Sequence, residues 1–357
     1  MRGRVGRLDS LEFWARRLGV ASALLAIVGG ILFYTPTPYY ITAPGAAIDT
    51  SRLISVQGGE AHRGHLYMLV LNTQPANLFW YLYAQVDNRA ELETKEEYMG
   101  TIEDYSKYLE MTRQMMSDSQ RTARAIALQQ LGYGRGVIPS GLRITGFATE
   151  SRARETLQEG DLILTADGVA LATRSDLQEV LAKHRPGDQI TVGLRRGEQE
   201  LSVPVTTMEA PEADRKGQPV LGVFIEQVLE FDDAALSVEI HSGAITGPSA
   251  GLMFTLQIID QLTPGGLVPD VVVAGTGTIE PDGSIGEIGG VQQKVYTAEA
   301  AGAGIMFVPR ANYEDARAVA KRVEVVPVDT IRDALSILSQ MRQNGEKAGH
   351  SDPAFWS

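Results

Sequence analysis

Gly247-Pro248-Ser249-Ala250-Gly251 opens a run that continues through Leu252, Met253, Phe254, Leu256, Ile258, Ile259 and Leu262; further on stands Gly289-Gly290-Val291-Gln292-Gln293-Lys294-Val295. The first run predicts an almost wholly apolar helix, which has to be buried. Pro248 suits its first turn, where a missing N–H costs nothing. Ser249 then lies at the helix start, among unpaired amide donors and the positive end of the dipole. Such a position favours a developing oxyanion. A serine there also serves as an ordinary helix cap, and both readings of Ser249 stand. Gly247, Ala250 and Gly251 leave room for another backbone to approach.

The glycine pair predicts a second helix, running to about Gly302. On a 3.6-residue wheel Val291, Val295, Ala298 and Ala301 share one face, and Lys294 falls on it, whereas Gln292, Gln293 and Glu299 fall elsewhere. A lysine stem on an apolar face can snorkel to water. If the amine is instead buried, desolvation lowers its pKa and leaves it neutral at working pH, able to take the proton of a serine hydroxyl. Residues 238–241 predict a strand leading toward Ser249, which makes His241 the other candidate base, although spacing offers no acidic group to orient it. The histidines are His62, His65, His184, His241 and His350. They form no His-Glu-x-x-His pair, which argues against a zinc hydrolase. Gly283, Gly286 and the glycine pair read as turns between strands. Neither a metal nor a cofactor is called for.

A chain of 357 residues holds two medium domains, or one with appendages. A net charge of −12 argues against a nucleic-acid partner, which needs a basic face. With no cysteine, thiol nucleophiles, disulfides and cysteine zinc sites are excluded. Arg2, Arg4, Arg7, Arg16 and Arg17 precede an apolar run over residues 18–34, near the lower length limit for a membrane span. Tyr34, Tyr39 and Tyr40 sit where an aromatic belt would meet the far interface, and the arginine excess predicts a cytoplasmic N-terminus. The competing reading is a cleaved signal peptide; Ala43-Pro44-Gly45 is a poor cleavage site, because a proline lies inside it.

Pro36, Pro38 and Pro44 predict an extended spacer after the anchor. Residues 66–71 read as a short buried strand, and 91–131 as mostly helical, interrupted only by Gly100, with Tyr105, Tyr108, Leu109, Thr112 and Met116 at helical spacing. Gly132, Gly134, Gly136 and Pro139 end that helix. Short strands and turns then occupy residues 141–207. Leu162-Ile163-Leu164 leads into the Asp167-Gly168 hairpin signal, residues 176–184 form a helix with Leu177, Val180 and Leu181 on one face, Pro186-Gly187-Asp188 turns into a strand, and Arg196-Gly197-Glu198 makes the next hairpin. This order resembles a PDZ domain of the bacterial protease-associated type, on Gly160-Asp161-Leu162-Ile163, Asp167-Gly168, the 176–184 helix, and Pro186-Gly187-Asp188 with Arg195-Arg196-Gly197. The resemblance implies peptide capture by strand addition, although only the glycine-rich 132–141 stretch stands where the carboxylate-binding loop belongs.

Gly247-Pro248-Ser249-Ala250-Gly251, Thr276-Gly277, and Ile288-Gly289-Gly290 with Lys294 together resemble the catalytic region of Lon-type proteases; the apolar 271–274 and 305–309 segments fit as well. The resemblance implies Ser249 as nucleophile and Lys294 as base. It also implies Thr276 as a supporting hydrogen-bond partner and Gly247, Pro248 and Ala250 around the oxyanion. Thr246 and Thr278 depart from the acidic residues usual at those places. No Gly-x-x-x-x-Gly-Lys-[Ser/Thr] phosphate loop occurs. Anchor, PDZ-like unit and motorless Lon-type unit, in that order, resemble the bacterial membrane-bound PDZ and Lon-type serine proteases. The expected fold is α+β: a cytoplasmic tail and transmembrane helix (1–40), a strand and helical region of unknown role (41–137), a PDZ-like β-rich domain (138–207), a Lon proteolytic-type α/β domain (208–343) and a polar tail (344–357). The resemblance implies an ATP-independent serine endopeptidase, single-pass, with its catalytic domain outside the cytoplasm. Protein or peptide substrates, membrane-protein ectodomains among them, and a homo-oligomer are the partners it implies. A catalytically silent PDZ-bearing membrane scaffold is the alternative.

Overall fold

The computed structural model describes residues 5–102, 104–211, 216–268 and 271–351, and the chain divides into two compact units, residues 1–127 with 236–357 and residues 128–235. Arg2 and Arg4, and the end of the polar tail from residue 352, lie outside the described residues.

The first unit begins with α1 (Val5–Tyr34), the one helix among the described residues long and apolar enough to cross a membrane, over Arg17–Tyr34. Its Leu18, Val20, Leu25 and Ile31 are exposed. A single residue, Thr35, separates it from β1 (Pro36–Asp49). The expected spacer is therefore a strand. The ladder between β1 and β3 (His65–Asn77) is antiparallel and shifts register between Pro36 and Tyr40 and again between Pro44 and Ala47. Those irregularities let a strand carry prolines, which have no N–H to give a neighbour. Between them in sequence lies the short β2 (Ile54–Val56). The helix expected over 91–131 is three elements: β4 (Glu91–Thr94), paired with β1, then α3 (Lys95–Met99) and α4 (Tyr105–Gln130). They follow a seven-residue helix, α2 (Leu78–Ala84). Gly100, at φ +61°, ends α3 in a conformation that costs glycine little.

The second unit holds β5 (Gly136–Phe147), β6 (Leu162–Ala166), β7 (Val169–Ala170), α5 (Arg174–Leu181), β8 (Gln189–Arg196), β9 (Gln199–Thr206), β10 (Met208–Glu209), β11 (Pro219–Val220) and β12 (Val223–Asp232). Its main sheet runs β12-β5-β6-β8-β9, with β7 on β6. Leu142, Ile163, Leu177, Val180, Ile190 and Val192 are buried together under α5, the inward set of strands with period two and of a helix with period 3.6. Asp161 is buried and accepts both ends of the Arg196 guanidinium at 2.7 Å, a bidentate pair that ties the β6 entry to β8.

The first unit resumes with β13 (Val238–Ile240), paired with β2, followed by α6 (Gly251–Leu262), β14 (Val272–Gly275), β15 (Thr278–Ile279), β16 (Ile285–Gly286), α7 (Val291–Ala300), β17 (Ile305–Pro309), α8 (Tyr313–Val319), β18 (Glu324–Val328) and α9 (Ile331–Ser351). A six-stranded sheet runs β18-β17-β14-β3-β1-β4. It is parallel from β18 to β3 and antiparallel at β1 and β4. β17 is buried along its whole length, as a parallel strand covered on both faces should be. Every residue of α6 from Gly251 to Asp260 is buried.

Candidate active site

Ser249 is carried on the turn just before α6, so Pro248 precedes the helix instead of occupying its first turn. The cap position is Ala250, and no side chain caps the helix. Ser249 is thus free of the capping duty that its place in sequence allowed. The turn is fastened on several sides. Gly277 N–H donates to the Ser249 carbonyl at 2.9 Å, and Leu252 N–H donates back to the Gly277 carbonyl at 3.2 Å. From α4, Ser119 Oγ donates to the Pro248 carbonyl at 3.1 Å, while Gly247 N–H donates to the Thr112 carbonyl at 3.0 Å. Gly251 has to lack a side chain, since a Cβ there would stand 2.6 Å from Ile279 Cγ2 and 2.9 Å from the Ile279 nitrogen. α6 therefore meets β15 backbone to backbone.

Lys294 comes from the first turn of α7. The helix is entered through Gly290, which takes φ +65° and whose Cβ would collide with Leu71 Cδ1 at 2.3 Å; a left-handed turn without a side chain is the only fit. The loop before it is held by Asn312, buried between α8 and this segment, whose side chain accepts from Ile288 N–H and donates to the Ile288 carbonyl, both at 2.9 Å. Lys294 is 2% exposed. Its stem does not snorkel. Nζ lies 2.9 Å from Ser249 Oγ and 2.9 Å from Thr276 Oγ1. Burial pushes the amine down to about 7 from its usual value near 10.5, because the charged form has lost its water. Thr276, delivered just past the end of β14, donates its own proton to the Ser249 carbonyl at 3.1 Å. Its oxygen is left to accept from Nζ, which holds the amine beside the serine.

Ser249 and Lys294 border a cavity of about 540 Å³, with Thr276 buried behind them. β14 pairs with β3 only as far as Met68, and beyond it Leu69, Val70, Leu71 and Thr73 of β3 line the cleft. Tyr98, Tyr105, Leu109 and Met116, from α3 and α4, form an apolar wall, and Thr246 and Thr278 stand in the lining as well. Of the groups expected around an oxyanion, Pro248 has no N–H and the Gly247 amide is already engaged. Among the described residues, the Ser249 and Ala250 amides are the ones at this turn without a hydrogen-bond partner.

His241 is elsewhere. Its side chain is 72% exposed and pairs with Glu239 at 3.3 Å, bordering a separate hollow beside α4. An acidic partner for it does exist, two residues away and in water, but the pair does not reach the cleft. Gln293, expected off the buried face of α7, is buried and donates to Glu91 Oε2 at 3.3 Å. Sequence reasoning missed Ser119, Thr112 and Asn312. Asn312 follows an apolar strand and Pro309 as an ordinary turn residue would, and nothing in its neighbours betrays the pair of hydrogen bonds it makes.

Comparison with known proteins covers two segments. Residues 134–207 match the PDZ domain family, and residues 223–340 match the Lon protease (S16) C-terminal proteolytic domain. Lon protease of Trichlorobacter lovleyi is 30% identical over 130 residues, 35% of this chain and 16% of that protein. The Lon protease of Neorickettsia sennetsu is 30% identical over 32% of this chain and 14% of its own length. That of Chloroflexus aurantiacus is 34% identical over 30% and 13%. The chain thus spans about a sixth or less of the length of these relatives. Among solved structures, the PDZ domain of an SdrC-like protein of Listeria monocytogenes aligns at 19% identity with 24% of this chain and 87% of its own, at a TM-score of 0.22. The Lon match contains Ser249, Thr276 and Lys294 but not β1, β3 or β4, which complete the catalytic unit's sheet. The chain carries a PDZ domain and, C-terminal to it, the proteolytic domain of the Lon (S16) serine proteases.

Proposed function

We propose that this chain is a membrane-anchored serine endopeptidase that works without ATP, held by α1 with its catalytic unit outside the cytoplasm, and that it cuts unfolded or flexible protein segments. The observation that carries the reading is a buried amine, depressed to about 7, lying 2.9 Å from a serine hydroxyl. In the neutral state Ser249 Oγ–H donates to Lys294 Nζ. As Oγ attacks a peptide carbonyl, Nζ takes the proton, and the oxyanion that forms is met by the Ser249 and Ala250 amides. Lys294 then passes its proton to the departing amine, and the C-terminal fragment leaves. Water, deprotonated by the same nitrogen, hydrolyses the acyl-Ser249 ester and releases a carboxylate. The open edge of β3 from Leu69 to Thr73 suits an extended substrate lying down as an added strand. Such binding admits only chain that is already unfolded, consistent with a sequence without a nucleotide-driven motor. The orientation rests on the arginine-rich N-terminal flank.

The test uses the full chain in lipid nanodiscs, with an unfolded reporter protein and no nucleotide. Wild type should cleave, and a fluorophosphonate probe should label it at Ser249; Ser249→Ala should do neither. A soluble form has to begin before Pro36, since β1 pairs with β3 from that residue on. A folded wild type that neither cleaves nor takes the probe would favour the silent scaffold.

A further inference from the structure

The first unit carries an apolar surface that the cleft does not use. α2 reads Leu-Phe-Trp-Tyr-Leu-Tyr-Ala from Leu78 to Ala84, without a charge, and none of these residues is buried. Leu82 is 48% exposed, and Val86, just past the helix, 88%. A helix this short is not stable by itself; it is held against the end of α1. The Phe79 ring stacks on Phe33 at 4.7 Å. Asn77 donates from Nδ2 to the Phe33 carbonyl at 3.1 Å, and Leu78 N–H donates to the Thr35 carbonyl at 2.9 Å. Asn77 also caps α2, accepting from Trp80 N–H at 3.0 Å. Phe33 is the last residue but one of the apolar window Arg17–Tyr34, so Phe79 lies at the depth where that window ends. Beyond α2 the chemistry turns polar: the Tyr83 hydroxyl donates to Asp87, which also holds Arg89 at 2.7 Å. Apolar rings followed by tyrosine hydroxyls and then charge is the order that a water–lipid boundary selects.

We propose that α2 is an interfacial docking helix, and that its occupant is the same bilayer that α1 enters. Phe79, Trp80, Leu82 and Tyr83 seat among headgroups and acyl-chain ends and hold the catalytic unit down on the membrane. This rests on α1 being a membrane span, as proposed above. It also narrows the substrate class. β3 lines the cleft from Met68 to Thr73 and reaches α2 at Leu78, so the cleft stands no more than roughly 35 Å from the interface at ~3.3 Å per strand residue. Segments close to a membrane are within reach, and those at the far end of a tall ectodomain are not.

The full chain holds three tryptophans, Trp14, Trp80 and Trp356. One single-tryptophan form (Trp14→Phe with Trp356→Phe) reports on α2, and another (Trp80→Phe with Trp356→Phe) reports on α1. Both are reconstituted into phosphatidylcholine–phosphatidylglycerol vesicles carrying lipids spin-labelled near the headgroup, and acrylamide is used as the aqueous quencher. Trp80 emission should be blue-shifted, strongly quenched by the labelled lipid and weakly by acrylamide. If Trp14 is quenched by lipid while Trp80 emits as a water-exposed indole open to acrylamide, α1 is an anchor and the docking proposal is overturned alone. If the protein fails to float with the vesicles and Trp14 is not quenched by lipid, the anchor reading falls and takes the docking proposal with it.

Discussion

Lys294→Met should lower the rate of peptide-bond cleavage by at least ~10³-fold, into the range left when a catalytic base is lost but binding and oxyanion contacts remain. Methionine keeps the length and apolar stem of the lysine, so the space between α6 and α7 stays filled. What goes is the nitrogen 2.9 Å from Ser249 Oγ. His241, the other candidate base in the sequence, is in water with Glu239. Lys294→Arg should fail just as completely, because a guanidinium stays charged at any working pH. Ser249→Ala and the double variant should match the single losses rather than multiply them, as groups acting in one step do. In wild type the neutral amine is the active form, so kcat/KM should rise about tenfold per pH unit up to about 7 and then level off. A pH–rate profile on a fluorogenic peptide reads this directly. A limb centred near the ordinary lysine value, or a Lys294→Met variant that still cuts at more than a tenth of the wild-type rate, would remove the lysine from the mechanism.

The same substitution should make the protein more stable at neutral and acid pH, an advantage that vanishes as the medium turns alkaline. The amine has a folded-state pKa of about 7 against an ordinary 10.5. Between those values the unfolded chain holds a proton that the folded chain has released, so wild-type stability climbs with pH across that window. Below about 7 both states are protonated, and the folded state bears the whole cost of a buried ammonium, about 5 kcal/mol for a shift of this size. Methionine carries no such cost. It gives up the bonds to Ser249 and Thr276, each worth about 1 kcal/mol, which leaves a net gain of a few kcal/mol at pH 6. Urea unfolding of both proteins at pH 6 and pH 10 tests the sign. The two midpoints should converge as pH rises, and a variant less stable than wild type at pH 6 would show that Lys294 is not desolvated in the folded protein.

The helices that hold the dyad were legible in the sequence because each begins at a small-residue turn and buries an unbroken apolar face. Lys294 stood out as a charge on the apolar face of α7. The Asp167-Gly168 hairpin, with Asp167 at φ +47° and Gly168 at φ +77°, and the helix carrying Leu177 and Val180 were readable for the same local reasons. What escaped is held together over long sequence separations. β1 was hidden by three prolines, which local rules count against a strand and which the two register shifts accommodate. β4 and α3 were hidden inside a run of good helix formers, because the pairing of Glu91–Thr94 with β1 is decided by a partner far away in sequence. The helical stretch with no motif of its own turned out to contribute Thr112 and Ser119 to the serine turn and a wall to the cleft. Gln293 fell off the apolar face by wheel geometry, yet β4 covers it with Glu91.

A base that is uncharged at rest also governs how the reaction ends. The last step leaves a peptide carboxylate beside Lys294. Above about pH 7 the amine is neutral, nothing in the dyad attracts an anion, and the fragment departs. In a more acidic medium the ammonium persists and grips the carboxylate through a charge-assisted hydrogen bond. Acidification would therefore clog the enzyme with its own product as well as slow its attack. Inhibition by added N-terminal cleavage fragments should tighten steadily as the pH falls from 8 to 6, while the same fragments with amidated C-termini show no such trend. An enzyme of this design shuts off in acid twice over, once at entry and once at exit.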